Sequence, residues 1–496
     1  MSSSQETTEH KLAPNVLGLF ESVIMGIAGS APAYSIAATT VTLAVTVGLF
    51  GPGELFYSGI AMFGVVVAFH YMGKHRQNAG ATYVWVRNAL HPILGYLAGW
   101  SLVTASIIFG LISTVPASTG LLSLFTNNDK IISNVHWTTL VGGIIFILMV
   151  GIIAYGIKFT AKAQIVMTVI ELGLLWVFDV LALLHHPHTH HFSWSWFSFN
   201  SIKSYSIPDN VIGTAQSFDP KYVAAHGLSA ILVGAVSGAF FYWGWDVTAN
   251  LNEETKDGDS TAGKGGIVGV LFVMFTFLLT LVAINMVLSD ATLASSGSIL
   301  SDFAAVVMPG WFGKFIIVSV LLSTVATIET QMIQVTRTLF SMGRDATMPT
   351  SFGRVHKRFQ TPWNATLFTT VFVLVFFIGS QFIKSVNDIA NAGVAAIGIQ
   401  ICFYYALAAF SVIILYRRYL RRDIKTFILV GLWPALSGIF LIAVLIKVIP
   451  TLSKLALYVG VGTVALGIIP MAIFWSQGSS YFKTPTKEER HAQLNI

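Results

Sequence analysis

The sequence predicts an all-α integral membrane fold of twelve transmembrane helices, arranged as a 5+5 inverted repeat plus two further helices. Three observations carry that expectation. Hydrophobic residues make up 54% of the 496-residue chain and charged residues only 10%, at a mean hydropathy of +0.73, whereas a soluble domain carries about 25% charge. Apolar runs recur at 17–48, 54–73, 94–123, 138–157, 164–185, 227–251, 267–289, 314–343, 364–383, 392–416, 426–448 and 454–477, and about 20 apolar residues cross a bilayer core. Two of these runs, the first and the sixth, are interrupted in the middle.

In the first run the interruption is Gly26-Ile27-Ala28-Gly29-Ser30-Ala31-Pro32. Pro32 cannot donate to the carbonyl four residues earlier, and the glycines lower the cost of unwinding. Backbone groups freed in hydrocarbon are tolerated only around a cavity. In the sixth run the interruption is Val236-Ser237-Gly238-Ala239-Phe240-Phe241-Tyr242-Trp243-Gly244-Trp245-Asp246. It comes five spans later, so the second broken helix enters from the opposite side, as inverted repeats of spans one to five and six to ten require. A substrate site between the two breaks follows as an expectation.

The rest of the composition excludes other classes. The joint from His185 to His226 is the longest and is too short to carry much of a core. A single cysteine, Cys402, excludes disulfides and multi-cysteine metal sites within the chain. The net charge of +6 does not call for nucleic acid as a partner, because the basic residues sit in short joints between spans. No Gly-x-x-x-x-Gly-Lys-[Ser/Thr] motif occurs, so ATP drive has no support.

Twelve spans put both termini on one side. Of the 28 lysines and arginines, Lys130, Lys203, Lys221, Lys314, Lys384, Lys447 and Lys454 fall on one face, and the others, including every arginine, on the other. The positive-inside rule makes the arginine-bearing face cytoplasmic, in a multi-pass protein of the cell membrane. Residues 1–16 lack a signal-peptide pattern and read as a cytoplasmic tail. A transport core over 17–416, helices eleven and twelve over 417–477, and a cytoplasmic tail over 478–496 complete the division.

Four local patterns then point to a family. Asn78-Ala79-Gly80-Ala81-Thr82-Tyr83-Val84-Trp85, Gly156-Ile157-Lys158-Phe159-Thr160-Ala161-Lys162, Asp246 with Asn252-Glu253-Glu254-Thr255-Lys256, and Arg337 to Asp345 with Met348-Pro349 and Thr361-Pro362 occur in order on the cytoplasmic side. Together they resemble the amino acid–polyamine–organocation (APC) transporters, with likeness from about Gly26 to Arg422. The resemblance implies a LeuT-like fold and alternating access. It also implies a substrate carboxylate held by Ala28, Gly29, Ser30 and Ala31, and an ammonium at the sixth helix near Phe240, Trp243 and Gly244. Two positions depart from the family pattern. Pro32 removes one amide donor from the first break, and Glu171 stands where many members carry a lysine.

Ionisable groups deep in a membrane are costly and default to functional candidates. Glu171 lies about seven residues into the fifth run and Glu329 near the middle of the eighth. In the implied fold they face one aqueous pocket and serve as proton-coupling groups, or as an ionised pair that attracts an amine. Asp246 is expected to form a structural or gating ion pair near the Arg337–Arg344 segment. Glu21 and Glu54 are expected to reach interface water, and Asp179 receives no role. The His185-His186-Pro187-His188-Thr189-His190-His191 cluster lacks the spacing of a tetrahedral site, so no metal is expected. Phe192 to Phe197 reads as an interfacial aromatic belt or a short strand.

The resulting expectation is a secondary active transporter, not an enzyme, that takes up an amino acid or related amine with protons. Its partners are a small-molecule substrate and the lipid bilayer, and no cofactor is needed beyond a proton or ion gradient. The alternative is an exchanger of amino acids, amines or polyamines. A pore is disfavoured because two broken helices suit a closed binding site better than a channel.

Overall fold

The computed structural model describes residues 11–126, 128–154, 156–185, 187–206, 221–224 and 228–490. Of the two expected tails, residues 1–10 and 491–496 lie outside them, as do His186 and the first residue of the sixth run. The regular elements among the described residues are helices, apart from an antiparallel pair of short strands, β1 (Lys203–Ser206) and β2 (Lys221–Ala224), which pairs Lys203 with Ala224.

In chain order the helices begin α1 (Leu19–Ser30), α2 (Pro32–Val47), α3 (Gly51–His75), α4 (Thr82–Ala89), α5 (Pro92–Ile112) and α6 (Thr114–Phe125). They continue with α7 (Asp129–Ile132), α8 (Val135–Ala154), α9 (Ile157–Leu184), α10 (Leu228–Phe241), α11 (Val247–Asn250) and α12 (Gly258–Val287). The next are α13 (Asp290–Ser295), α14 (Ile299–Val307), α15 (Phe315–Arg344), α16 (Trp363–Ser380) and α17 (Val386–Leu415). Segments Ile424–Thr451 and Lys454–Ser476 follow.

Ten helical segments among the described residues are long and apolar enough to cross a membrane. The first, Leu19–His75, is 57 residues long and covers the first two apolar runs. The sixth run contributes only a shorter apolar helix, Ala230–Phe241, because the chain unwinds after it. Large apolar side chains such as Ile144, Leu148, Val166, Ile170, Leu436 and Ile439 face outward. Such a surface would be an association liability in water and suits a lipid surround.

Long α15 runs through the bundle against α9, α5, α1 and α2, while α12 packs along α1 and α3, and α17 along α5 and α3. Two outer details differ from expectation. Trp194–Phe197 forms a 3-10 turn rather than a strand, and Tyr57 of α3 donates to the Phe197 carbonyl at 3.0 Å, holding that turn on the helix. Glu54 does not reach interface water. It is fully buried, accepts from Ser58 at 3.0 Å, and lies where a side chain at Gly234 of α10 would strike it. The small residues of α10 let the two helices close over the carboxylate.

Candidate functional site

The expected first break is present. Helix α1 ends at Ser30, Ala31 takes a left-handed conformation (φ 48°), and Pro32 opens α2 at its first position. Proline is suited there, since the first-turn amides of a helix have no internal partner. The second break lies between α10 and α11, where Gly244 has φ 95°, a region that favours glycine. The two breaks meet backbone to backbone. A Cβ at Gly29 would lie 2.2 Å from the Gly244 carbonyl oxygen, and one at Gly244 would lie 2.1 Å from that of Gly29.

Helix α15 serves as a ruler through this junction. Ser323 Oγ accepts from the Tyr34 amide at 3.1 Å, Thr327 donates to the Gly29 carbonyl at 3.1 Å, and Gln331 accepts from Ser106 at 3.4 Å beside Gly244. Further along, Arg337 forms a two-pronged ion pair with Glu254 at 2.9 and 3.0 Å. At the other end, Val320 lines a cavity of about 520 Å³. Val320 and Arg337 are 17 residues apart, about 25 Å along the axis, so the break lies between an open end and a sealed one.

The cavity is bounded by α2 (Ala37, Ala38, Val41, Thr42), α6 (Val115, Pro116, Thr119) and α17 (Ala390, Asn391), and reaches the surface at Gly297 and Ser298. Its lining holds no charged side chain. One turn deeper, Tyr34, Phe109, Phe240 and Trp243 form a buried aromatic cluster. Tyr34 meets Phe109 edge to face at 5.4 Å between centroids, and Phe109 meets Trp243 in the same way at 5.4 Å. Phe240 touches the other three at 6.2 to 6.5 Å. The sequence singled out Phe240 and Trp243 but missed Tyr34, two residues past Pro32, and Phe109, which no motif marks.

The seal uses the family-like patterns. Glu253 pairs with Arg344 at 2.7 Å and accepts from the Ala79 amide at 2.8 Å. Asn250 donates to the Ala79 carbonyl and to Thr338, and the amides of Val16 and Leu17 donate to the Glu254 carbonyl. The ion pairing expected of Asp246 is thus made by Glu253 and Glu254, which lie a turn or more nearer the arginines. Asp246 instead accepts from the Tyr404 hydroxyl at 2.9 Å, and that hydroxyl accepts from Trp243 Nε1 at 2.6 Å. This ties Asp246 to the aromatic cluster.

Glu171 and Glu329 are both buried, and neither lines the cavity. Glu171 of α9 accepts from the Ala33 amide at 3.1 Å, at the start of α2. Glu329 accepts from Gln164 Nε2 at 2.8 Å. Gln164 and Glu171 are two turns apart on α9, about 10 Å along its axis, so the two acids meet that helix at different levels. Asp179, left without a role by the sequence, is buried and accepts from Thr280 at 2.7 Å. No group of three or more metal-ligating side chains occurs among the described residues. In the histidine cluster, His190 faces Asp290 at 3.3 Å and His188 contacts the Ala182 carbonyl.

The amino acid permease family matches residues 17–472. The chain is similar to a chloroplastic cationic amino acid transporter of Arabidopsis thaliana, at 21% identity over 78% of this chain, and spans 62% of that relative's length. It is also similar to a low-affinity putrescine importer of Escherichia coli (22% identity, 71% of this chain and 74% of the relative). A third relative is a branched-chain amino acid permease of Bacillus subtilis (21% identity, 73% of this chain and 74% of the relative). With a match over nearly its whole length, the chain belongs to the amino acid permease family, membrane transporters rather than enzymes.

Proposed function

We propose that the chain is a proton-coupled secondary transporter that takes up an amino acid or related amine by alternating access. In this reading twelve spans form two inverted five-helix repeats plus two helices, with both termini cytoplasmic in the cell membrane. The observation that carries it is the junction of the two helix breaks at Gly29 and Gly244, beneath a cavity open at one end and above ion pairs that close the other. Broken helices meeting near mid-membrane suit a site exposed alternately to the two sides.

In this mechanism the solute enters the cavity and reaches the cluster of Phe240 and Trp243 beside the last turn of α1 (Ala28, Gly29, Ser30), the break at Ala31 and the facing Gly244. Opening the inner side requires separating Glu254 from Arg337 and Glu253 from Arg344, with Asp246 linking the aromatic floor to that movement through Tyr404. Glu171 and Glu329 carry the proton linkage. Glu171 holds the first free amide of α2, so a change in its charge alters the hold on the broken helix.

The test is uptake by the purified chain in proteoliposomes, with an amino acid and amine panel and an imposed proton gradient. Accumulation into empty vesicles, abolished by a protonophore, is expected. Uptake only into vesicles preloaded with solute would replace symport by exchange, the relation that the putrescine and amino acid relatives leave open.

A further inference from the structure

We infer that the solute is a cationic amine without a carboxylate, and that Glu171 occupies the place at the broken helix where a solute carboxylate would bind. This deepens the transport reading and rests on it. The N-terminus of a half-helix attracts anions through its free amides. In α2 those amides are already used or missing. Pro32 has none, Ala33 donates to Glu171 at 3.1 Å, Tyr34 donates to Ser323 at 3.1 Å, and Ser35 donates to the Ala31 carbonyl at 2.8 Å. A solute carboxylate would therefore have to displace a buried glutamate that already sits at the N-terminus of α2, which at 16 residues is far longer than the four-residue α11 that also starts beside the junction.

Positive charge is favoured in its place. Both α1, of 12 residues, and α10, of 14, end at the junction, and helix C-termini favour cations. The four rings of Tyr34, Phe109, Phe240 and Trp243 supply faces for an ammonium, an attraction that grows as the cation is desolvated. Trp243 is linked through Tyr404 to the Asp246 carboxylate, which adds negative potential beneath the cluster. No basic side chain lines the cavity to receive a carboxylate along the way. The junction thus carries two negative helix ends, a capped positive one and a floor of rings.

The experiment uses the full chain in liposomes and pairs of solutes that differ only by the carboxylate, such as putrescine with ornithine, cadaverine with lysine, and tyramine with tyrosine. For at least one pair the amine is expected to be taken up, with the amino acid at least roughly tenfold weaker as substrate and competitor, since an unpaired charge next to Glu171 is costly. In Glu171→Ala, which vacates the Ala33 amide, the acid member should gain as a competitor. In Glu171→Gln, which keeps the hydrogen-bonding shape but removes the charge, it should gain less. Ser323→Ala, a milder change that frees the Tyr34 amide, should shift selectivity the same way. Uptake of amino acids with exclusion of their amines would overturn the inference while leaving transport standing, as would equal competition by the acid in the parent and in Glu171→Ala. Failure of both members of every pair to be taken up would overturn both the inference and the transport reading.

Discussion

Substituting Gly29 by alanine tests whether the contact between the two breaks is essential to the transport state. The added Cβ would lie 2.2 Å from the Gly244 carbonyl oxygen, where ordinary contact begins near 3.4 Å, so the breaks must part by about 1.2 Å. The obstacle is backbone on both sides, and no flexible side chain can yield. Overpacking of this kind costs about 1–3 kcal/mol, which lowers the population of the closed junction by roughly 5- to 150-fold. The control is Gly26→Ala, one turn earlier on α1, whose Cβ would meet Thr248 at an ordinary 3.5 Å. Initial uptake rates per monodisperse protein in proteoliposomes, with thermal unfolding of the same preparations, separate function from folding. Gly29→Ala should lose most uptake while staying folded, and Gly26→Ala should keep it. Parent-like uptake by Gly29→Ala, or equal loss in Gly26→Ala, would refute the reasoning.

Further predictions follow from the seal and the acids. Arg337→Ala leaves Glu254 buried and unpaired, at 2% and 0% side-chain exposure for the pair, so it should cost about 3–5 kcal/mol and lower the thermal midpoint sharply. Arg344→Ala breaks a more exposed pair, at 34% and 24%, and should cost under about 1 kcal/mol in the same melt. Trp243→Phe removes the 2.6 Å bond to Tyr404 but keeps a ring, so it should raise the half-saturating solute concentration more than it lowers stability. Glu171→Gln should flatten the pH dependence of uptake, read in proteoliposomes over a range of external pH, whereas an unchanged profile would remove Glu171 from proton linkage.

Both breaks were legible because their causes are local. Pro32 lacks an amide and Gly244 tolerates positive φ, so the chain unwinds there whatever surrounds it. The division into apolar runs was legible for the same reason, though the sixth run reads as one span where only Ala230–Phe241 is a continuous apolar helix. What the sequence concealed depends on distant partners. Asp246 bonds to Tyr404, 158 residues away, and Glu171 to Ala33, 138 residues away. Glu54 is buried because Gly234 lets α10 approach, a fact of packing that a position near a span end does not reveal. Tyr34 and Phe109 carry no motif, and only the converging helices make them part of the floor.

In the proposed mechanism a gradient drives solute through the junction of two broken helices. This is tested most directly by labelled amine uptake into empty proteoliposomes with and without an inward proton gradient, for the parent and Gly29→Ala. The parent is expected to accumulate solute uphill only when the gradient is imposed, and the variant to lose that accumulation. Accumulation that ignores the gradient, or that survives Gly29→Ala unchanged, would contradict this mechanism.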